Sequence, residues 1–119
     1  MKKTLVLGAS DNPSRYSYQA VHRLQRHGHE VVPVGIRKGQ VGGLDIRLDR
    51  PSANDVDTVT LYVGPQNQPA WYDYILDLKP KRIIFNPGTE NPELERMAQE
   101  RGIRTEEACT LVMLSVGQY

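Results

Sequence analysis

The sequence has few of the residues that build disulfides and metal sites: one cysteine, Cys109, and three histidines. A single cysteine excludes an internal disulfide. His22, His27 and His29 form neither an H-x-x-x-H nor an H-E-x-x-H pattern, so no metal site is expected. Long apolar runs are also missing, since no segment approaches the roughly 20 residues that span a bilayer, and the first residues lack a signal-peptide core. These absences predict a cytoplasmic protein with no membrane partner.

An excess of charge of one sign is missing too. The 119 residues include 15 Lys plus Arg and 14 Asp plus Glu, which gives a net charge of +1. Without a basic excess there is no general attraction to a nucleic-acid backbone, and no nucleic-acid partner is expected. The length and the 39% hydrophobic content suit a single domain over residues 1–119.

Short apolar runs alternate with helical patterns along the chain. Leu94 and Ala98, for example, have helical spacing after Asn91-Pro92, a capping residue followed by proline in the first turn. The predicted strands are 4–7, 30–35, 57–63, 82–85 and 103–105, and the predicted helices are 17–27, 71–78, 91–102 and 108–116. This order predicts a small Rossmann-like, doubly wound α/β domain with a mainly parallel five-stranded sheet and helices on both faces.

Residues 36–55 have no clear period and contain several glycines and a proline. We interpret them as a long connection with a short extended piece at 45–48. Pro33 removes one hydrogen-bond donor from the second strand, so we expect it at the end of that strand.

Ligands of open parallel sheets bind at the carboxyl ends of the strands, where the strand order reverses. The loop after the first strand leads into a helix start, where free N–H groups favour a phosphate. Ser10, Ser14 and Arg15 add side-chain donors to this loop. The alternative is that Gly8 only permits a turn and Ser14 only caps the helix.

The same loop does not carry the dinucleotide fingerprint, because Ser10 and Pro13 stand where G-x-G-x-x-G needs glycine. The acidic residue that would hold a ribose diol after the second strand is also absent, which disfavours NAD. Arg37 and Lys38 follow that strand instead, and they suit a ribose phosphate, as in coenzyme A or NADP. The alternative is that Arg37 and Lys38 are solvated surface charges that bind no ligand.

Catalytic candidates are few. Cys109 has no adjacent base and precedes an apolar helix, so we expect a buried, unreactive thiol. The histidines are expected at the surface, Trp71 is expected in the core, and Tyr16, Tyr18 and Tyr62 could line a ligand site. No catalytic residue is predicted.

Several segments together resemble the small CoA-binding domain family, which is related to the CoA-binding domain of the succinyl-CoA synthetase α-subunit. They are Leu5-Val6-Leu7-Gly8-Ala9-Ser10-Asp11-Asn12-Pro13-Ser14-Arg15-Tyr16-Ser17-Tyr18, His27-Gly28-His29-Glu30-Val31-Val32-Pro33-Val34, Tyr62-Val63-Gly64-Pro65 and Asn86-Pro87-Gly88-Thr89-Glu90. The resemblance implies a Rossmann-like fold that holds coenzyme A, or an acyl-CoA, extended across the strand ends.

The resemblance also implies roles for individual residues. Ser10, Arg15 and Tyr16 would bind the pyrophosphate. Val34 and Lys38 would flank the adenosine end, and Tyr62, Val63 and Pro65 would touch the pantetheine. With the residues suggested by loop chemistry, the predicted cofactor-binding set is Gly8, Ala9, Ser10, Asn12, Ser14, Arg15, Tyr16, Val34, Arg37, Lys38, Tyr62, Val63, Pro65 and Asn86.

Ligase chemistry is not implied, because the synthetase's phosphorylatable histidine and ATP-grasp domain have no counterpart here. The sequence therefore predicts a non-catalytic carrier, a sensor or a regulatory module that acts on an unidentified protein partner. One alternative is an NADP-linked oxidoreductase module. Another is an interaction module with a vestigial nucleotide site, because Gly35-Ile36 replaces the Asn-Pro usual in the family.

Overall fold

The computed structural model describes all residues from Met1 to Tyr119. Its elements, in chain order, are β1 (Thr4–Leu7), α1 (Tyr16–Arg26), β2 (Val31–Val34), β3 (Gln40–Val41), β4 (Leu44–Asp45), β5 (Thr58–Leu61), two 3-10 turns (Pro65–Asn67 and Pro69–Trp71), α2 (Tyr72–Asp77), β6 (Arg82–Phe85), α3 (Pro92–Glu100), β7 (Arg104–Glu107) and α4 (Thr110–Ser115). None of the helices is long and apolar enough to cross a membrane.

The main sheet has five strands in the order β2-β1-β5-β6-β7, and every neighbouring pair is parallel. The chain runs outward from β1 to β2 in one direction and then outward from β5 to β7 in the other, so the strand order reverses between β1 and β5. Leu7 is in register with both Val34 and Leu61, so these strands end level with one another. Their following loops therefore begin at one edge of the sheet, called here the carboxyl edge.

Alternate residues of the strands enter two separate cores, as the two-residue period of a strand requires. On one face Leu5 and Leu7 pack in a cluster with Ile75 of α2 and Leu94 of α3. On the other face Val6 belongs to a cluster with residues of α1 and α4: Val21, Leu24 and Leu114. Helices therefore cover both faces, which confirms the predicted doubly wound architecture.

The connection between β2 and β5 is more ordered than predicted. The extended piece expected at 45–48 begins earlier, because β3 and β4 form a short antiparallel hairpin. Arg47 then runs beside the outer edge of β2: its N–H donates to the Pro33 carbonyl at 2.9 Å, and its carbonyl accepts from Gly35 N–H at 3.0 Å. Pro33 is thus inside β2 rather than at its end, because the donor it lacks would face away from β1.

Two further expectations need correction. The last strand extends to Glu107 rather than ending at residue 105, since charged side chains are tolerated on the edge strand β7. Cys109 is half-buried at the start of α4, so the expectation of a buried thiol is wrong. Asn91 does cap α3, as predicted, by accepting from the N–H groups of Glu93 and Leu94.

Candidate functional site

The loop after β1 is fixed between the ends of β2 and β5. The N–H groups of Gly8 and Ala9 both donate to the Val34 carbonyl at 2.9 Å, and the Tyr62 N–H donates to the Leu7 carbonyl at 2.8 Å. Val34 is fully buried and its carbonyl is used by these bonds. The structure therefore brings the predicted residues Gly8, Ala9, Val34 and Tyr62 together at the point where the strand order reverses.

Two glycines allow this close approach. Gly8 has a φ of +95°, and a Cβ added there would lie 2.8 Å from the Tyr62 carbonyl oxygen. A Cβ on Gly35 would lie 2.7 Å from the Ala9 carbonyl oxygen and 3.0 Å from Ile46 Cγ2. Real Cβ atoms do not approach other atoms this closely, so Gly35 has a packing role at the junction of the loops after β1 and β2.

The side chains of Asn12 and Ser14 shape the loop from within. Asn12 Oδ1 accepts from the Ser14 N–H at 3.0 Å and from the Ser14 hydroxyl at 2.8 Å. The Asn12 carbonyl accepts from the Arg15 N–H at 3.0 Å, and Ser10 Oγ accepts from the Asn12 N–H at 3.0 Å. The Ser10 hydroxyl proton has no acceptor in the protein, so Ser10 keeps a donor for a ligand.

The start of α1 has unused hydrogen-bond donors. Its capping position, Arg15, makes no side-chain cap bond. No protein acceptor is bonded to the following backbone N–H groups of this loop and helix start: Ser10, Asp11, Tyr16, Ser17 and Tyr18. Free N–H groups and the positive end of the helix dipole at one place favour an anion.

Cationic side chains are carried by the loops at the carboxyl edge of the sheet. Arg15, Arg37 and Lys38 are exposed, and none of their side chains forms an ion pair or hydrogen bond within the protein. Exposed apolar side chains stand next to them, with Ile36 79% and Tyr16 70% accessible to solvent. The charge of these cations and the apolar surfaces beside them are therefore available to a ligand.

The loop after β5 also leaves backbone donors free. The N–H groups of Val63 and Gly64 bond to no acceptor in the protein, and Pro65 opens the 3-10 turn Pro65–Asn67 beside them. The Tyr62 hydroxyl is buried without a hydrogen-bond partner, and burial raises the pKa of Tyr62 above its usual value. The phenol is therefore neutral at physiological pH.

Asn86 is at the carboxyl edge but points into the protein, with 2% of its surface exposed. Its Nδ2 donates to Thr60 Oγ1 at 2.7 Å and to the Leu61 carbonyl at 2.8 Å, while its Oδ1 accepts from the Thr110 N–H at 2.9 Å. These bonds connect the end of β6 to β5 and to the start of α4. The Asn86 side chain is thus occupied by the fold.

Gln68 and Asn91 form a buried polar network that the sequence analysis did not single out. Gln68 is 0% exposed, and its Nε2 donates to the carbonyls of Val63 at 2.9 Å and Thr89 at 2.8 Å. Its Oε1 accepts from Asn91 Nδ2 at 2.9 Å, and the same Nδ2 donates to the Tyr72 hydroxyl at 2.8 Å. The network joins the loop after β5 to the loop after β6.

Two open hollows lie away from the carboxyl edge. One, of about 430 Å³, is at the opposite edge of the sheet and is lined by Leu76, Lys79, Pro80, Lys81, Arg101, Gly102 and Ile103. The other, of about 370 Å³, lies between residues 50–54 and the last turn of α2. Neither contains the donors described above, so the candidate site is defined by unpartnered donors and cations rather than by depth.

The parallel sheet, its reversal of strand order and the helix start beside it define a small Rossmann-like α/β domain. The family model described as "CoA binding domain" matches residues 2–115. The chain therefore belongs to the CoA-binding domain family, as the sequence resemblance predicted.

Solved structures share this fold. One, described only as an uncharacterized protein, is 59% identical, has a TM-score of 0.98 and is matched over 100% of this chain and 98% of its own. A hypothetical protein from Pyrococcus horikoshii OT3 is 25% identical, with a TM-score of 0.87 over 97% of this chain and 82% of its own. The fold is also shared by Prb, described as PH1109 protein redesigned for binding, at 24% identity and a TM-score of 0.88 over 99% of this chain and 85% of its own. A search of the curated proteins gave no match.

Proposed function

We propose that this protein binds coenzyme A, or an acyl-CoA, extended across the carboxyl edge of the sheet. The observation that carries the proposal is the set of unbonded N–H groups at the start of α1, next to unpaired cations and at the reversal of strand order. Membership of the CoA-binding domain family gives the ligand class that fits these donors.

The phosphates bind at two places in this proposal. The pyrophosphate accepts from the N–H groups at the start of α1, from the Ser10 hydroxyl and from the Arg15 guanidinium, with Tyr16 beside it. The ribose phosphate pairs with Arg37 and Lys38, and the exposed side chain of Ile36 gives the adenine an apolar surface.

The pantetheine arm crosses the loop after β5. Its amide carbonyls need hydrogen-bond donors, and the free N–H groups of Val63 and Gly64 supply them. Tyr62 and Pro65 provide surface for the apolar parts of the arm. Several predicted residues act through the shape of the site: Gly8 and Ala9 by close approach, Asn12 and Ser14 by forming the loop, and Val34 and Asn86 by fixing it.

We assign the protein a non-catalytic role as a carrier, a sensor or a regulatory module. The side chains that surround the proposed ligand supply hydrogen-bond donors, positive charge and apolar surface. The Tyr62 hydroxyl is buried, and burial raises its pKa, so it is protonated at physiological pH. Binding is thus the activity that these groups support.

Calorimetric titration with CoA, dephospho-CoA, NADP and NAD tests the proposal. CoA is expected to bind, NAD is not, and loss of the ribose phosphate is expected to weaken binding by about fivefold to 150-fold. The double variant Arg37→Ala, Lys38→Ala should remove the difference between CoA and dephospho-CoA. The variant Lys79→Ala, Lys81→Ala, which removes exposed cations from the opposite edge, is the matched control.

Each contrary result has a distinct meaning. Heats for NAD equal to those for CoA would overturn the ligand assignment. Stronger binding of NADP than of CoA would favour an oxidoreductase module, and no heat with any ligand would favour a vestigial site.

A further inference from the structure

We propose that Gln68 is a positioning residue for the pantetheine arm, and that it acts by fixing the peptide between Val63 and Gly64. This assignment rests on the proposed function, because it concerns the same ligand. Gln68 contacts the loop after β5 through Val63 and the loop after β6 through Thr89, so its side chain connects these two loops.

The hydrogen bonds of Gln68 leave it one orientation. Both protons of Nε2 are used by carbonyl oxygens, those of Val63 and Thr89, at 2.9 and 2.8 Å. Oε1 meets a donor, Asn91 Nδ2, at 2.9 Å. Exchanging the oxygen and the nitrogen would place the Gln68 oxygen against two carbonyl oxygens, so the side-chain amide cannot adopt the flipped orientation.

Asn91 holds Gln68 in place in turn. Its Oδ1 accepts from the N–H groups of Glu93 and Leu94 at 3.1 and 3.2 Å, which ties the network to the first turn of α3. Its Nδ2 donates to both Gln68 and Tyr72. The side-chain amide of Gln68 is therefore connected to regular structure rather than to loop residues alone.

The bond to Val63 determines where a ligand donor points. All peptide bonds in the protein are trans, so the Gly64 N–H points opposite to the Val63 carbonyl. Gln68 holds that carbonyl toward the buried network, and the Gly64 N–H, which has no partner in the protein, is thereby directed away from it. A preset donor spares the ligand the cost of ordering the loop.

The test compares CoA with adenosine 3′,5′-bisphosphate, which keeps the adenosine end but lacks the pantetheine arm. In the Gln68→Leu variant we expect the Kd for CoA to rise about tenfold, because the loop must now be ordered on binding. The Kd for the bisphosphate should stay within about twofold of the wild-type value, because its contacts are on other loops. A merely structural role would not change the ratio of the two affinities.

Gln25→Leu is the matched control. Gln25 also donates from Nε2 to a backbone carbonyl, that of Gly42 at 2.9 Å, but it is on α1 and faces the β3–β4 hairpin. Its loss should leave the affinity ratio unchanged.

A second variant covers the case in which Gln68→Leu does not fold. Asn91→Asp keeps the acceptor that caps α3 but loses the donor to Gln68, and it should change the affinity ratio in the same direction. An unchanged ratio in a folded variant, with wild-type protein that binds CoA, would overturn the role of Gln68 alone. Wild-type protein that binds neither ligand would overturn the proposed function and this assignment together.

Discussion

The contact between Gly8 and Tyr62 gives a prediction about stability that can be worked out from the structure. Replacing Gly8 by alanine has two costs. The backbone is held at a φ of +95°, and the new Cβ would lie 2.8 Å from the carbonyl oxygen and 2.9 Å from the carbonyl carbon of Tyr62. Gly28 gives a matched control, because it has a φ of +83° and a Cβ there would have nothing within 4 Å.

The two costs can be estimated separately. A residue with a Cβ in the left-handed region costs about 1 to 2 kcal/mol, and Gly28→Ala should lose this amount. Gly8→Ala adds a steric overlap with rigid backbone, for which overpacking costs of about 1 to 3 kcal/mol are typical. The difference between the two variants should therefore be about 1 to 3 kcal/mol in the free energy of unfolding.

Urea denaturation of the wild type and both variants measures this difference directly. For a domain of this length about 4 °C of Tm corresponds to each kcal/mol, so Gly8→Ala should melt about 4 to 12 °C below Gly28→Ala. Equal losses in the two variants would mean that the loops after β1 and β5 are not in close contact. The geometry described for the site would then be wrong.

Three further predictions concern single side chains. Arg15→Ala should weaken CoA binding by about tenfold to 150-fold with an unchanged Tm, whereas Arg26→Ala, at the other end of α1, should change neither; an unaltered Kd would move the phosphate site elsewhere. Asn86→Leu should lower the free energy of unfolding by about 2 to 4 kcal/mol in urea denaturation, because its buried partners lose their hydrogen bonds, and a loss below about 0.5 kcal/mol would contradict this. Burial lowers the pKa of His29, whose Nδ1 accepts a hydrogen bond from the Lys2 N–H. The stability that neutral His29 contributes above about pH 6.5 should therefore be lost as the pH falls toward the pKa of the folded state. His29→Gln should flatten this pH dependence of the free energy of unfolding, and an identical decrease in the variant would exclude His29 as its source.

The sheet could be predicted from the sequence because its inner strands are buried along their whole length and are rich in apolar and β-branched residues. The runs containing Leu5, Val59 and Ile83 are buried on both faces, which makes them recognisable without knowledge of their neighbours. The edge strand β7 was predicted too short for the opposite reason. Glu106 and Glu107 are charged residues of a strand that pairs with a neighbour along one edge only, and their local sequence pattern does not distinguish them from a loop.

Parts of the candidate site could be predicted from loop chemistry. The start of α1 was recognisable because glycine, serine and asparagine after a short apolar run indicate a turn into a helix. Gln68 could not be recognised in this way. Its partners are the Val63 carbonyl and residues beyond β6, so its role depends on two loops that meet only in the folded chain.

The presence of glycine at position 35 could also be explained only from the structure. The sequence shows only that Gly35 replaces the residue usual in the family, which suggested a vestigial site. The close approach of the Ala9 carbonyl and Ile46 to this position gives the glycine a packing role, and the vestigial site stays an alternative that the titration tests. The role of Asn86 changed in the same way, because all its hydrogen bonds are formed inside the protein.

The most direct test of the account is to follow the backbone amide resonances while CoA is added. If CoA crosses the carboxyl edge as proposed, the largest shifts should occur at the unpartnered N–H groups: Ser10, Asp11, Tyr16, Ser17, Tyr18, Val63 and Gly64. The amide resonances around the hollow at the opposite edge of the sheet, such as those of Lys79, Lys81 and Gly102, should not shift. Saturable shifts confined to that hollow, with none at the start of α1, would contradict the account.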